Sequence, residues 1–175
     1  MSNSAEATSA SNKGSAKARV LSARLRASQA VYQVLLNGGN LRDTAAEYLS
    51  VRLDMEIDGE PLVTPDKELL KNILLGVDET FSDLEAIVDL NLNPESQAVE
   101  ELEEGDVSDV VASKRTVEPL LKAVLLCAAY EIAIKQNVDA PILINDYLNV
   151  THAFYEQGEA SLVNGVLDRI AKSSR

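Results

Sequence analysis

Basic and amide side chains recur along the first helical stretch of the chain at a spacing suited to binding a polyanion. Steps of three and four residues place such side chains on one stripe of a helix. Arginine offers planar, bidentate donors to phosphates and can stack on bases, and glutamine can read base edges. The pattern is compatible with RNA binding, but from these residues alone a solvated helical face is the simpler interpretation. The stripe, which is expected to be open to solvent, consists of Arg19, Ser22, Arg26, Gln29 and Gln33, and it is widened by Lys17 and Arg24.

The other residues that could do chemistry lack the neighbours that catalysis or metal binding requires. Cys127 lies in an apolar stretch with no histidine or cation near it in sequence, which indicates a buried thiol rather than a nucleophile. His152 is the single histidine and cannot form a metal site with so few soft ligands. Glu131 and Asp168 could be paired carboxylates for acid–base work, but a salt bridge or cap is the simpler interpretation. We therefore expect no enzymatic activity, no cofactor and no metal.

The charge of the chain is unevenly distributed. The net charge is -12 and the isoelectric point is near 4.5, values that argue against a general nucleic-acid binder. Residues 1–26, however, contain five cations against Glu6 alone, whereas residues 95–109 contain seven acidic side chains and no cation. A basic arm on an acidic body can still bind a polyanion locally. The acidic run is interpreted as a solvated loop or frayed helix, or alternatively as a surface for a basic partner.

The length and composition of the chain limit the possible fold classes and the cellular compartment. A chain of 175 residues predicts one domain or two tightly packed halves, and 46% apolar residues with few aromatics suit a helical bundle. No apolar run approaches the roughly 18 residues that a membrane span requires, and the N-terminus lacks the apolar stretch of a secretory signal. A single cysteine fits a reducing compartment. We therefore expect a cytoplasmic protein with no membrane association.

The first half of the chain is predicted to be helical after a disordered tail. A first helix is expected from Ala16 to Leu36, and a second from Leu41 to about Met55. A third helical region begins at Thr64-Pro65-Asp66, with the threonine hydroxyl as the cap. Its apolar stripe continues from Leu69 to Leu90, as one long helix or as two helices broken near Gly76. Glycine inside a helix costs about 1 kcal/mol relative to alanine, so close approach of another helix is the expected reason for it.

The second half is predicted to contain three helices. No strand is predicted in either half, because Leu53-Asp-Met-Glu-Ile57 alternates with period two but is too isolated to form a sheet. The most apolar helix is expected from Arg115 to about Lys135 and forms the centre of this half. The next begins at Asp139 and is closed by Gly158, and the last is capped by Ser161 and ends near Lys172. The predicted division of the chain is a disordered tail at 1–15, an N-terminal half at 16–92, an acidic connector at 93–113 and a C-terminal half at 114–175.

Five short motifs follow one another along residues 19–171. The first four are Arg26-Ala-Ser-Gln-Ala-Val-Tyr-Gln33, Leu74-Leu-Gly-Val77, Ala123-Val-Leu-Leu-Cys-Ala-Ala-Tyr-Glu-Ile132 and Ile144-Asn-Asp-Tyr147. The fifth and most specific is Val163-Asn-Gly-Val-Leu-Asp168. Together they resemble the NusB family of transcription antitermination proteins. The resemblance implies an all-α, NusB-like fold of two packed three-helix bundles, with about six to seven helices in total.

The resemblance implies a transcription antitermination factor that binds boxA RNA. In this family the arginine-rich start of the first helix makes the RNA contact, which assigns that role here to Lys17, Arg19, Arg24 and Arg26. The further predicted RNA-binding residues are Gln29 on the same stripe, His152 where the family often has lysine, and Ser161 at the start of the final helix.

The resemblance also implies protein partners. The second half is expected to dock NusE, the small-subunit ribosomal protein that doubles as a transcription factor, and the pair to join elongating RNA polymerase in ribosomal RNA operons. Because this partner is basic, the net negative charge of the chain is expected to attract it electrostatically and speed their association. Glu118 and Lys122, on the polar side of the most apolar helix, are the predicted docking residues. A monomer and a homodimer are both compatible with the sequence.

Three positions depart from the family pattern. Leu126 replaces the usual arginine, Leu162 the usual phenylalanine and His152 the frequent lysine. Each change is expected to remove charge or aromatic surface from the RNA or partner side. The departures favour an alternative function, a protein–protein adaptor with weak or lost RNA binding. An RNA cytosine methyltransferase with a NusB-like front domain is disfavoured, because no glycine-rich cofactor fold follows.

Polar residues inside the motifs are expected to have structural partners. Asn145 and Asp146 follow an apolar helix position, so their side chains are expected to hydrogen-bond to neighbouring helix ends or backbone. Asn164-Gly165 is expected to let two helices pack closely, with the amide satisfying a backbone group.

Overall fold

Seven α-helices form most of the structure in the part of the chain that the computed structural model describes. That part comprises residues 14–50, 56–57, 60–61, 63–94 and 115–174. The helices are α1 (Ala16–Asn37), α2 (Leu41–Ser50), α3 (Lys67–Glu79), α4 (Phe81–Leu92), α5 (Pro119–Ala129), α6 (Ala140–His152) and α7 (Gln157–Ser174). A π-helical segment, Tyr130–Lys135, continues α5. Two short strands, β1 (Glu56–Ile57) and β2 (Glu60–Pro61), pair antiparallel.

The predicted all-α fold is confirmed by this architecture. β1 lies at the end of residues 53–57, whose isolation argues against a larger sheet, and it pairs with β2 three residues later. Residues 1–13 of the predicted tail, residues 51–55 of the second helix and residues 95–113 of the acidic connector lie outside the described residues. None of the described helices is long and apolar enough to cross a membrane.

α5 is the most deeply buried helix and lies at the centre of the fold. Every side chain from Ala123 to Ala129 is 0% exposed. α5 packs against α1, α4, α6 and α7. α1 carries Ala23, Ala27 and Ala30 on its buried face, and such small side chains allow two helix axes to approach closely. Because α1 also packs against α2, α3 and α6, it joins the two halves of the chain.

The start of α3 is capped by Asp66. Its Oδ1 accepts a hydrogen bond from the backbone N–H of Leu69 at 3.0 Å, which satisfies one of the free donors of the first turn. The predicted cap at Thr64 is therefore wrong, because Pro65 lies before the helix rather than inside it. Two helices form as the second alternative predicts, but the break lies at Thr80 and not near Gly76, which is inside α3.

Gly76 brings α3 against the π-helical segment. A Cβ atom at this position would lie 2.0 Å from Cζ of Tyr130, far inside van der Waals contact. The predicted close approach at Gly76 is confirmed, and the partner is an aromatic ring rather than a helix backbone. Glycine at 76 therefore positions the segment that follows α5.

The central helix of the second half is shorter than predicted. α5 begins at Pro119, with Glu118 as the residue before it, and not at Arg115. Proline fits the first turn of a helix because its missing N–H has no intrahelical partner there. The regular α-helix ends at Ala129, and the π-helical segment extends to Lys135 as the sequence pattern predicts.

The predicted boundary between α6 and α7 is wrong by several residues. α6 begins after Asp139 as predicted, but it ends at His152. The carbonyl of Thr151 accepts hydrogen bonds from two backbone N–H groups in the turn that follows, which closes the helix early. α7 then begins at Gln157, so Ser161 lies inside it and its hydroxyl donates to the Gln157 carbonyl at 3.0 Å. The predicted cap at this serine is therefore wrong.

Candidate nucleic-acid interface

A groove of about 400 Å³ lies between the N-terminal half of α1 and the C-terminal end of α6, and we call it the α1–α6 groove. Its lining combines apolar side chains with one cation and two amides. Two predicted site residues, Arg26 and Gln29, therefore lie on one wall. Seven of its lining residues are Leu21, Leu25, Val63 and Val150, with Arg26, Gln29 and Asn149.

Two hydrogen bonds hold the segment before α3 against α1 and close one side of this groove. The hydroxyl of Ser22 donates to the Val63 carbonyl at 2.7 Å, and the backbone N–H of Asp66 donates to the Arg19 carbonyl at 3.0 Å. The Ser22 hydroxyl is therefore already engaged within the fold. These contacts give the groove a fixed wall, which the helical periodicity of α1 alone does not predict.

Two other predicted site residues border a neighbouring cavity. His152 and Ser161 both line a cavity of about 250 Å³ between α6 and α7, and both are exposed. Asn149 on α6 and Ala153, directly after the helix, line the α1–α6 groove, whereas His152 lines the cavity towards α7. The last turn of α6 therefore separates the two depressions. The structure brings Arg26, Gln29, His152 and Ser161 to one end of this helix.

A third cavity, of about 520 Å³, also includes His152 in its lining. Glu156 and Glu159 line it together with Phe154 and Tyr155. Two carboxylates beside the histidine repel a phosphate chain at this point. The side of α6 that faces α1 is therefore the better surface for a polyanion.

Arg24 does not lie on the surface, so the prediction that it shares an exposed basic stripe is wrong. Its side chain is 3% exposed. Its Nε lies 2.7 Å from Oε2 of Glu131 and its Nη1 lies 2.5 Å from Oδ2 of Asp146. A buried charge requires such partners because burial removes its hydration. We call this cluster, together with Tyr147, the Arg24 junction, since it joins α1, the π-helical segment and α6.

Hydrogen bonds and charge stabilise the charged guanidinium of Arg24 within the junction. Burial lowers the pKa of Arg24, but the hydrogen bond and charge of Glu131 outweigh it, so the pKa is raised above its ordinary value. The Tyr147 hydroxyl donates to Oε2 of Glu131 at 2.8 Å. Burial, and then the charge of Glu131, raise the pKa of Tyr147 well above its ordinary value. Burial also raises the pKa of the Cys127 thiol to about 12, which agrees with the predicted inert thiol.

The remaining basic residues of α1 differ in exposure. Lys17 is exposed in the first turn, and Arg19 is half-buried two residues later. Among the described residues, Nε of Arg19 is a buried nitrogen without a hydrogen-bond partner. Arg26 is only 4% exposed although it lines the groove, so the predicted solvent-exposed position is wrong for this residue too. The side chains of the stripe are therefore mostly partly or fully buried, and the stripe does not form a solvent-exposed surface.

The two predicted docking residues occupy different environments. Glu118 is exposed immediately before α5, whereas Lys122 is half-buried and its Nζ is paired with Glu85 of α4. The exposed carboxylate is therefore the more accessible of the two. The pairing of Lys122 links α5 to α4 within the fold.

Predictions for the motif residues have mixed outcomes. Asp146 has the expected partner, but that partner is the side chain of Arg24 rather than a helix end, and Asn145 is exposed. Asn164 is exposed, and a Cβ at Gly165 would meet only Nη1 of Arg169 at 3.6 Å, so the predicted close helix packing is wrong.

Asn149 and Ala153 are among the lining residues of the groove that were not predicted as site residues. Asn149 lies three residues before His152 on α6 and contributes an amide to the groove, and Ala153 follows the helix. The polar Asn149 next to an apolar helix face was the available signal. Its proximity to α1 depends on tertiary packing and has no signature in sequence.

Comparison with known proteins places the chain in a family. The sequence model of the NusB family matches residues 105–172. The transcription antitermination protein NusB of Bartonella tribocorum is 31% identical over 153 residues, which cover 87% of this chain and 88% of that protein. That of Allorhizobium ampelinum is 30% identical, covering 87% of this chain and 86% of that protein. The chain belongs to the NusB family.

The fold agrees with a solved NusB structure. The structure of T. maritima NusB matches with a TM-score of 0.57 at 18% identity, covering 90% of this chain and 92% of that one. At this identity the likeness shows the shared all-α fold. Within this NusB-family chain, Leu126 is 0% exposed. The prediction that leucine at 126 removes charge from a binding surface is therefore wrong, because the position lies in the core.

Proposed function

We propose that this NusB-family chain is a transcription antitermination factor that binds boxA-type RNA. In this proposal it acts together with NusE, the ribosomal protein, and the pair joins elongating RNA polymerase to promote elongation through ribosomal RNA operons. Support comes from the relatives, which are transcription antitermination proteins. The observation that carries the RNA-binding part is the α1–α6 groove, whose lining includes Arg26 and Gln29 and no carboxylate among the described residues.

The start of α1 supports this proposal through its charge. Lys17 and Arg19 lie in its first turn and the first turn contains no acidic residue. The N-terminus of a helix carries a partial positive charge from its aligned peptide dipoles and free N–H groups. Both effects favour a phosphate near the end of α1 that borders the groove. His152 and Ser161 are proposed to extend this contact from the cavity between α6 and α7, whose described lining contains no carboxylate.

RNA titration tests the proposal. Fluorescently labelled boxA RNA is titrated with the protein, alone and with NusE, at two salt concentrations. For the double variant Lys17→Ala/Arg19→Ala we expect affinity to fall roughly tenfold, equivalent to about 1.4 kcal/mol. The slope of log K against log salt should fall by about 0.7 for each single-strand phosphate contact that is lost.

The matched control is Arg42→Ala. Arg42 lies in α2, directly after the C-terminal end of α1, and its side chain is 60% exposed. A helix of 22 residues spans about 33 Å, so this change removes one cation at the opposite end of α1. We expect RNA affinity close to that of the unchanged protein. Equal losses for the control and the double variant would contradict a localised RNA site.

The adaptor alternative is favoured by the burial of the arginines. Arg24 is bound by two carboxylates and Arg26 is 4% exposed, which leaves fewer basic groups at the surface. For the RNA-binding factor and for the adaptor alike, Glu118 and Lys122 are proposed to face NusE. If NusE binds but RNA does not bind, even with NusE present, the adaptor replaces the RNA-binding factor. Glu118→Lys should then weaken NusE binding while leaving the fold intact, as checked by circular dichroism.

A further inference from the structure

We infer that the α1–α6 groove receives one unstacked nucleobase of the bound single-stranded RNA. This inference rests on the proposed RNA binding and adds a base-specific site to it. The groove measures about 400 Å³, within the roughly 300–1,000 Å³ of pockets that hold small organic ligands. A site of this size accommodates a planar heterocycle with part of its sugar, whereas a phosphate alone would leave most of it empty.

The lining suits a base better than a simple anion. Leu21, Leu25 and Val150 offer apolar surface to the faces of a ring, and burying such surface is favourable. The amides of Gln29 and Asn149 each provide a donor and an acceptor, which is the combination that a base edge requires. An apolar lining with two amides therefore matches the ring faces and the edge of one nucleobase.

Charge selects this groove over its neighbour. Arg26 is the one charged residue among the described lining residues, and its positive charge favours the approach of an anionic chain to the groove. The cavity beside His152 is lined by Glu156 and Glu159, which would repel the phosphates attached to a base. The negatively charged RNA is therefore attracted to the side of α6 that faces α1.

The position of the groove also fits a chain of nucleotides. Ala18 lines the groove and lies between Lys17 and Arg19 in the first turn of α1. Cations on both sides of a lining residue place phosphate contacts next to the base site. RNA-binding proteins recognise single strands by splaying out bases while basic side chains hold the backbone, and the end of α1 presents both components.

Filling the groove tests the inference. Ala153 is exposed and lines the groove, so Ala153→Leu adds volume there without a charge or an aromatic plane. Ala86→Leu, on the exposed side of α4, is the matched control. Each protein is titrated with a series of boxA RNAs that carry one abasic nucleotide at successive positions, in the presence of NusE.

For the unchanged protein and for Ala86→Leu, we expect one abasic position to weaken binding roughly tenfold, as loss of a single stacked base does. For Ala153→Leu, RNA with all its bases should bind roughly tenfold more weakly and the penalty at that one position should disappear. The salt slope should stay unchanged, because no phosphate contact is removed.

Two outcomes overturn the inference in distinguishable ways. If the penalty at every position is the same in Ala153→Leu and in the unchanged protein, the groove holds no base, although the proposed RNA binding stands. If the unchanged protein binds none of the RNAs even with NusE, the proposed function and the base site fail together.

A second variant tests whether the amide of Asn149 recognises the edge of the base. Asn149 is exposed on α6, so Asn149→Ala should leave the fold unchanged. With all four bases placed in turn at the sensitive position, the unchanged protein should prefer one of them, and Asn149→Ala should reduce that preference at least severalfold. An unaltered preference would contradict the assigned role of the amide.

Discussion

Arg24 and Arg26 are two residues apart on one helix, and they lie in two regions that differ in the charged groups around each arginine. In the Arg24 junction a guanidinium is bound by Glu131 and Asp146 and is 3% exposed. In the α1–α6 groove, Arg26 lines a cavity whose described lining contains amides and apolar side chains but no carboxylate. The same residue type on one helix therefore serves both as an internal connector and as a lining of a ligand-sized cavity.

The two regions are mechanically connected through α6. Asp146 lies in the junction, whereas Asn149 and Val150, one turn later, line the groove. The junction therefore fixes α6 against α1 at the point from which the groove opens. A buried ion pair is not a strong source of stability in itself, but it does disfavour arrangements that leave a charge unpaired. We expect the junction to set the width of the groove.

The largest effect is expected from Arg24→Met. This change keeps most of the side-chain volume but leaves two carboxylates without their cation, one of them the fully buried Glu131. Breaking a buried pair from one side typically costs about 3–5 kcal/mol, so the free energy of unfolding should fall by that amount in a urea titration.

Arg42→Met is the control for this prediction, because Arg42 is 60% exposed and lies 3.5 Å from Asp78 at the surface. Its effect should stay within about 0.5 kcal/mol. A loss of less than about 1 kcal/mol for Arg24→Met would mean that the junction contributes no more to stability than a surface ion pair.

Much of the fold was predictable because it depends on local patterns. The 22 residues of α1 show a helical period, and Asp139 begins α6 as a polar residue before an apolar helix. Boundaries set by competing local signals were missed. Asp66, and not Thr64, caps the start of α3. The turn after Thr151 ends α6 earlier than the position of Gly158 suggests.

The site was less predictable because its key contacts are distant in sequence. Arg24 and its partners are separated by 107 and 122 residues, so periodicity alone could not pair them. One local signal existed, since Arg24 lies four residues after Val20 and three before Ala27, on the apolar face of α1. A charged residue on such a face indicates a buried partner elsewhere in the chain.

An intermediate effect is expected from Gly76→Ala, which tests a second contact behind the junction. Tyr130 directly precedes Glu131, and its Cζ would lie 2.0 Å from the new methyl group. Alanine favours a helix by about 1 kcal/mol over glycine, but displacement of the ring should outweigh this and leave a net loss of about 1–2 kcal/mol. Thermal or urea unfolding measures the difference.

Gly165→Ala is the matched control, because a methyl group there meets only Nη1 of Arg169 at an ordinary 3.6 Å. It should stabilise the protein by about 0.5–1 kcal/mol. In a Tyr130→Ala background, Gly76→Ala should also become stabilising, since the obstructing ring is gone. A stabilising Gly76→Ala with Tyr130 still present would show that the ring moves away at no cost and does not position the π-helical segment.

The smallest effect is expected from Lys172→Met, and it separates distance from burial. Lys172 Nζ lies 2.6 Å from Oδ2 of Asp168, as close as the pairs of the Arg24 junction, but the two side chains are 75% and 51% exposed. An exposed pair one helical turn apart contributes about 0.3–0.5 kcal/mol, because water screens it. In about 1 M salt the difference should vanish, whereas the loss caused by Arg24→Met should persist. If Lys172→Met instead cost more than about 1 kcal/mol, or kept its cost at high salt, short N···O distance rather than burial would determine the energy. Arg24 and Lys172 would then differ only in position, and the junction could no longer be distinguished from the surface on energetic grounds.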